Sequence, residues 1–323
     1  MAHFFDDGTH HNEGEAGSRD CHSTTLFSPA FEVLSPETIT TPLVFNSPHS
    51  GRTYPDTFVA SSRLDAHRLR LSEDCFVDRI FDQVPQLGAP FLMAKFPRAY
   101  VDVNRQPYEL DPAMFSDKLP SFVNTRSLRV AGGLGTIARI VSENEEIYRN
   151  SLTFSEAEER IATLYYPYHT RLEQLLKASH AKFGASLLVD CHSMPSSRPL
   201  FSTANRAGSA TGQNRPDFVL GDRFGRTCPC YVTDFLEQKL TALGYTVVRN
   251  KPYAGGFITQ KYGVGHNNQH AIQIEINRAL YLDENRLEPH HGFDELKRNL
   301  SSVMEKLAAL TVDLLMAPRW AAE

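Results

Sequence analysis

Three apolar runs stand out along the chain, and each gives way at once to polar residues. Pro42-Leu43-Val44-Phe45-Asn46 leads into Ser47-Pro48-His49-Ser50-Gly51, and Ala185-Ser186-Leu187-Leu188-Val189-Asp190 leads into Cys191-His192-Ser193-Met194-Pro195. The third, Ala271-Ile272-Gln273-Ile274-Glu275-Ile276-Asn277, closes on Arg278. Short stretches rich in β-branched and aliphatic side chains predict buried strands. A fourth, less pure strand is predicted over Ala99-Tyr100-Val101-Asp102-Val103-Asn104-Arg105. Helical patterns lie between them. Phe76, Val77, Ile80, Phe81 and Val84 fall at helical spacing between Asp74 and Val84. Ser155 to Phe183 reads as a long amphipathic helix, with Ser155 as N-cap and Glu158 completing a capping box. A helix from Asp234 to Leu243 ends at Gly244, the strand Tyr245 to Val248 follows, and Phe293 to Leu315 forms a last helix. Strands interleaved with helices of this length predict an α/β fold with a largely parallel sheet. Ligands in such sheets bind beyond the carboxyl ends of the strands, where His49 and His192 would lie.

Composition narrows the function. A leader over residues 1–23, rich in His, Gly, Asp and Glu, shows no apolar period and is expected to be polar and mobile; residues 24–323 are expected to form a single catalytic domain. With 33 Lys+Arg against 38 Asp+Glu the net charge is −5, which offers no electrostatic footprint for nucleic acid or an anionic membrane. No apolar run reaches the roughly 18 residues of a membrane span, and the N-terminus lacks an apolar signal core. Five Cys are an odd number and do not build a disulfide framework; reduced thiols in a cytoplasmic protein are expected.

The chemistry is expected at the strand ends. His49 sits in a Pro-His-Ser-Gly turn and His192 follows Val189-Asp190-Cys191, so each is positioned by the sheet yet open on one side. Each alone reads first as a hydrogen-bonded loop histidine; two at strand ends with Asp190 beside one favour a shared metal or catalytic site. Asp190 can orient an imidazole, or close the strand in an Asx turn. Catalytic zinc takes three protein ligands. The preferred third is Asp74, with Glu73 and Asp78 as alternatives, although Asp74 can equally cap a helix. Glu275 interrupts an apolar strand, where a carboxylate is expensive without a role, and reads as a general base; the competing reading is the polar side of a half-exposed strand shared with Gln273 and Asn277. Arg105 and Arg278 each close a strand beside an Asn and can clamp a substrate carboxylate, with Arg139 as a second anion contact. Cys191 is a poor nucleophile, because it points to the opposite face from His192.

Five motifs occur in order: Ser47-Pro48-His49-Ser50-Gly51, Glu73-Asp74-Cys75-Phe76-Val77-Asp78, Tyr100-Val101-Asp102-Val103-Asn104-Arg105, Asp190-Cys191-His192-Ser193 and Gln273-Ile274-Glu275-Ile276-Asn277-Arg278. Together with Gly255-Gly256-Phe257-Ile258-Thr259 and Tyr262-Gly263, this pattern resembles the N-formylglutamate amidohydrolase family over roughly residues 40 to 290. The resemblance implies a three-layer, phosphorylase/hydrolase-like α/β fold akin to the zinc carboxypeptidases, with a mostly parallel mixed sheet flanked by helices. It implies hydrolysis of N-formyl-L-glutamate to formate and L-glutamate at the end of histidine degradation, and a small dianionic substrate. His49, Asp74 and His192 would hold one Zn2+, Glu275 would be the general base, and Asn104 with Arg105 would bind a substrate carboxylate. Arg52 stands where the carboxypeptidase pattern has a Glu ligand, which leaves the acidic ligand open between Asp74, Glu73 and Asp78. Two other functions are carried forward: a related hydrolase of another N-acyl amino acid or small peptide, and a non-catalytic small-anion-binding protein.

Overall fold

A computed structural model describes residues 26–141, 145–196, 216–264 and 267–316. The expected leader, residues 1–23, lies outside the described residues. Seven strands form one sheet: β1 (Phe31–Leu34), β2 (Leu43–Ser47), β3 (Phe91–Ala94), β4 (Ser186–Met194), β5 (Phe218–Gly221), β6 (Val247–Arg249) and β7 (Gln269–Asn277), in the spatial order β1-β3-β2-β4-β7-β5-β6. β2 is parallel to β3 and β4, β4 to β7, and β5 to β6; β1 on β3 and β5 on β7 are antiparallel. The helices are α1 (Asp56–Ser61), α2 (Ala66–Arg70), α3 (Val77–Ile80), α4 (Leu128–Ala131), α5 (Phe154–Arg160), α6 (Tyr166–Phe183), α7 (Cys230–Ala242), α8 (Phe257–Tyr262) and α9 (Phe293–Met316). Among the described residues no helix is long and apolar enough to cross a membrane.

Alternation along the central strands builds two cores, because successive side chains leave opposite faces of a strand. Val44, Leu92 and Leu188 pack with Tyr168, Leu172 and Leu176 of α6 on one face. Phe45, Leu187, Val189 and Ile272 pack on the other with Leu236 and Leu240 of α7 and Leu296, Leu300 and Leu307 of α9. Each aliphatic side chain buried this way contributes roughly 1.5–3 kcal/mol. The result is the mostly parallel mixed sheet between two helical layers that the sequence predicts.

The three pure strands are found where expected, with β4 running on through His192 to Met194 by pairing with β7 as far as Asn277. The predicted fourth strand is not a strand. Residues 99–104 form a buried loop, because its polar side chains bond locally: Asp102 Oδ1 accepts the Asn104 N–H at 2.8 Å in an Asx turn. The helix predicted from Asp74 to Val84 shrinks to α3 and a 3-10 turn over Val84–Leu87, since Phe76 takes a left-handed φ of 61°. The capping box lies two residues before the predicted one: Thr153 and Glu156 exchange bonds at 3.3 and 2.7 Å. A π turn over Ile161–Tyr165 then joins α5 to α6. α7 begins a turn before Asp234, and β6 replaces the strand predicted over Tyr245 to Val248. Strands β1, β3 and β5 are additional to the sequence reading.

The irregular loop is held from below. Buried backbone needs partners. The Tyr165 hydroxyl, at the end of the π turn, donates to the Arg105 carbonyl at 2.7 Å, and His169 Nε2 donates to the Val103 carbonyl at 2.9 Å. Tyr262 completes the bracket, 2.7 Å from His169 Nδ1. Burial, then repulsion from Lys261, lowers His169 to about 3, so the ring stays neutral while it fixes the loop.

Candidate active site

His49 stands two residues past β2, and its turn is tied to Asp74 by local bonds. The Ser50 hydroxyl donates to the Asp74 carbonyl at 3.0 Å, and the Asp74 N–H donates to the His49 carbonyl at 3.0 Å. The left-handed Phe76 then turns the chain away. His192 comes from β4, the neighbour of β2 in the sheet. Sequence-distant residues thus meet by strand order. The ligating atoms of His49, Asp74 and His192 lie within 4.8 Å of one another, all buried, and this group can hold a metal ion.

The hydrogen bonds decide which ring atoms face inward. His49 Nε2 donates to Asp102 Oδ1 at 2.7 Å, and His192 Nε2 lies 3.1 Å from Asp190 Oδ1. Both Nδ1 atoms therefore turn toward Asp74 Oδ2, at 3.4 Å for His49 and 2.9 Å for His192. Carboxylates behind the ring nitrogens fix tautomer and orientation, as in metal-ligating histidines. His49 Nδ1 is buried without a hydrogen-bond partner. A bare ring nitrogen beside a carboxylate is a mismatch that a cation removes, and two nitrogens with one carboxylate oxygen suit a divalent metal.

Electrostatics point the same way. Burial alone raises the Asp74 carboxyl, but hydrogen bonds and charge from His192 and His49 outweigh it and hold it well below the ordinary range. Burial alone lowers His192, yet Asp190 and Asp74 push it well above its usual value. Asp102, which burial raises, is held low by Arg105, His49 and Arg98. Two further arginines serve these acids. Arg98 Nη2 sits 2.8 Å from Asp102 Oδ2, and Arg278 Nη2 sits 3.3 Å from Asp74 Oδ1 while its Nε donates to the Ser193 hydroxyl.

Glu275 is the register partner of His192 on β7, so both side chains leave the same face of the sheet. Its Oε1 accepts the Gln273 side-chain N–H at 2.8 Å. Burial raises it to about 7 against the pull of His192 and Arg98, with negative charge from Asp74 and Asp190 assisting. Asn104 Nδ2 lies 3.3 Å from His192 Nε2, and Asn104 Oδ1 accepts the Ile258 N–H at 2.8 Å. Gly256 is required here: a Cβ on it would stand 2.4 Å from the Asn104 amide. Arg105 Nη2 lies 3.6 Å from Asp102 Oδ2.

His49, Asp74, His192, Glu275, Asn104, Arg105 and Arg278 are thus brought to one end of the sheet. Of the alternative acids, Glu73 pairs with Arg70 at 3.1 Å and Asp78 with Arg52 at 3.0 Å, which leaves Asp74 facing both rings. Arg139 is not drawn in: Asp111 at 2.7 Å and Glu146 at 3.2 Å engage its guanidinium. Sequence reasoning missed Arg98 and Asp102. Their i, i+4 spacing was the available signal, masked by reading the segment as a strand.

A model of the N-formylglutamate amidohydrolase family matches residues 41–282. The N-formylglutamate deformylase of Pseudomonas aeruginosa is 31% identical over 258 residues, covering 78% of this chain and 86% of that protein. The deformylase of Pseudomonas putida is 27% identical over 82% of this chain and 90% of its own length. The crystal structure of N-formylglutamate amidohydrolase from Ralstonia eutropha JMP134 is 35% identical and superposes with a TM-score of 0.79 over 87% of this chain and 97% of that one. Fold and relatives define the class: a hydrolase acting on an amide bond. The chain belongs to the N-formylglutamate amidohydrolase family.

Proposed function

We propose that the protein is a zinc-dependent N-formylglutamate deformylase that releases formate and L-glutamate from N-formyl-L-glutamate, a step of histidine degradation in the cytoplasm. The observation that carries the reading is the unpartnered Nδ1 of buried His49, facing Asp74 and His192. Nδ1 of both rings and the Asp74 carboxylate would hold the ion, and a zinc ion held there supplies Lewis acidity toward the formyl carbonyl and acidity to water.

The chain's own groups supply the rest. Glu275, raised to about 7, is matched to moving a proton near neutral pH. With Oε1 occupied by Gln273, its other oxygen takes a proton from the attacking water and delivers it to the amide nitrogen as the C–N bond breaks. Asp102 and Asp190 keep the two Nε2 atoms engaged and so keep the Nδ1 atoms inward. Arg98 and Arg278 balance Asp102 and Asp74, which keeps these acids ionised in a buried site. Asn104 and Arg105, beside His192 and Asp102, bind a substrate carboxylate.

Formate release from N-formyl-L-glutamate, N-formyl-L-aspartate and N-acetyl-L-glutamate tests the assignment. N-formyl-L-glutamate is expected to react with the highest kcat/KM, by about tenfold or more, the scale on which a pocket discriminates one methylene. A higher value for either of the others would replace the substrate named here.

A further inference from the structure

A dianionic substrate needs cationic contacts, and most arginines near the metal cluster are already committed to acids. Arg278 serves Asp74, Arg98 serves Asp102, and Arg139 is held by Asp111 and Glu146. Two others are not. Neither Arg129 nor Arg223 has an ion pair with an acid among the described residues, and both are half-buried.

Both are fixed to the structure around Asn104 and Arg105. Arg129 lies in α4, which Ser127 caps by accepting the Val130 N–H at 3.1 Å. The Arg129 carbonyl accepts the Leu134 N–H at 2.8 Å, and the Leu134 carbonyl accepts Arg105 Nε at 2.8 Å, so Arg105 pins the turn that follows Arg129. Arg223 comes from the other side. Its Nη1 donates to the Gly255 carbonyl at 3.0 Å, and the next residue, Gly256, lies directly against the Asn104 amide.

The Arg223 backbone is built rather than loose. Arg223 and Phe224 both take left-handed φ, 52° and 60°, a conformation that non-glycine residues hold only when neighbours impose it. The neighbours are buried Asp222 and Asn250. Asn250 Oδ1 accepts the Phe224 N–H at 3.1 Å, Asp222 Oδ1 accepts the Gly225 N–H at 3.0 Å, and the Arg223 N–H donates to the Ala254 carbonyl at 2.8 Å.

The arginines also feel one another. Burial lowers Arg105 to about 10, with repulsion from Arg98 and Arg129 working against the pull of Asp102. Burial, then repulsion from Arg129 and Arg226, lowers Arg223. Arg129 and Arg223, like charges near one another with no acid paired to either among the described residues, are unfavourable unless an anion sits between them.

We propose that Arg129 and Arg223 form, with Arg105 between them and the metal cluster, the pocket for the second carboxylate of the substrate, the one farther from the scissile amide. Arg105 and Asn104, nearer the cluster, take the α-carboxylate; Arg129 and Arg223 take the side-chain carboxylate. The two arginines are therefore the residues that set specificity for an N-formyl amino dicarboxylate over a mono-anionic N-formyl amino acid. This rests on the deformylase reading above.

The test compares N-formyl-L-glutamate with N-formyl-L-glutamine, which differs only by loss of the distal charge. For Arg129→Met, Arg223→Met and the double variant, kcat/KM for N-formyl-L-glutamate is expected to fall by about 10-fold singly and 100-fold or more together, on the scale of losing charge-assisted bonds. N-formyl-L-glutamine should change less than about threefold, so that the preference collapses. Arg226→Met, exposed on the same loop, should leave both substrates unchanged. Calorimetric binding of N-formyl-L-glutamate to Glu275→Gln protein gives a second readout, and should weaken in step when Arg129 and Arg223 are replaced. Equal losses on the two substrates, no loss on either, or an equal effect of Arg226→Met would overturn the pocket while leaving deformylase activity in place. A wild-type protein that releases formate from no N-formyl amino acid would overturn both.

Discussion

Glu275→Gln is expected to lower kcat for formate release by about 10²–10⁴-fold, the usual contribution of a positioned general base, while metal content and KM stay close to the wild type. The substitution changes little else. Glutamine keeps the shape and an Oε1 that can still accept the Gln273 N–H, so the 2.8 Å bond and the strand packing survive. What is lost is the ability to take a proton. The environment of Glu275 raises it to about 7, chiefly by burial, and such a carboxyl binds and releases a proton near neutrality, which the amide cannot do. Steady-state formate release with metal analysis of the same sample checks this, and undiminished kcat with metal bound would remove Glu275 from the reaction.

His192→Ala is expected to abolish stoichiometric metal and to reduce turnover by about 10³-fold or more. The ring contributes one of two inward nitrogens, and its loss removes the imidazole that both Asp74 Oδ2 and Asp190 Oδ1 face, leaving a buried gap beside them. A milder change isolates the orienting role. Asp102→Asn retains shape but replaces the acceptor behind His49 Nε2, and should weaken metal binding by about 10–100-fold, the range for partners behind a ligating histidine. Metal content after dialysis, with circular dichroism to show that the fold persists, separates lost ligation from lost structure. Full metal retention in His192→Ala would exclude that residue as a ligand.

The central strands were legible in the sequence because β2, β4 and β7 are buried along their length, and short runs rich in aliphatic side chains follow from that burial, with Gln273 and Glu275 as the polar interruptions in β7. The histidines were legible for the same reason: a polar residue at the end of such a run has a defined place. Their meeting with Asp74 required β2 and β4 to be neighbours, which no local pattern contains. The segment from Ala99 to Arg105 misled because its alternation of apolar and polar residues has two physical origins. In a strand it marks two faces, whereas here Asp102 and Asn104 bond a loop and the histidines, and Val101 and Val103 fill the core. Arg139 and Arg129 show the limit for charges. Both flank the same glycine-rich stretch, but only tertiary pairing with Asp111 and Glu146 distinguishes the arginine that is occupied from the one that is not.

The most direct measurement is formate release from N-formyl-L-glutamate by the purified full chain, before chelation, after removal of metal, and after titration with Zn2+. Activity that disappears with the metal and returns at one equivalent of zinc per chain is the predicted result. Activity that survives complete metal removal would contradict the assignment of His49, Asp74 and His192 as the centre of the reaction.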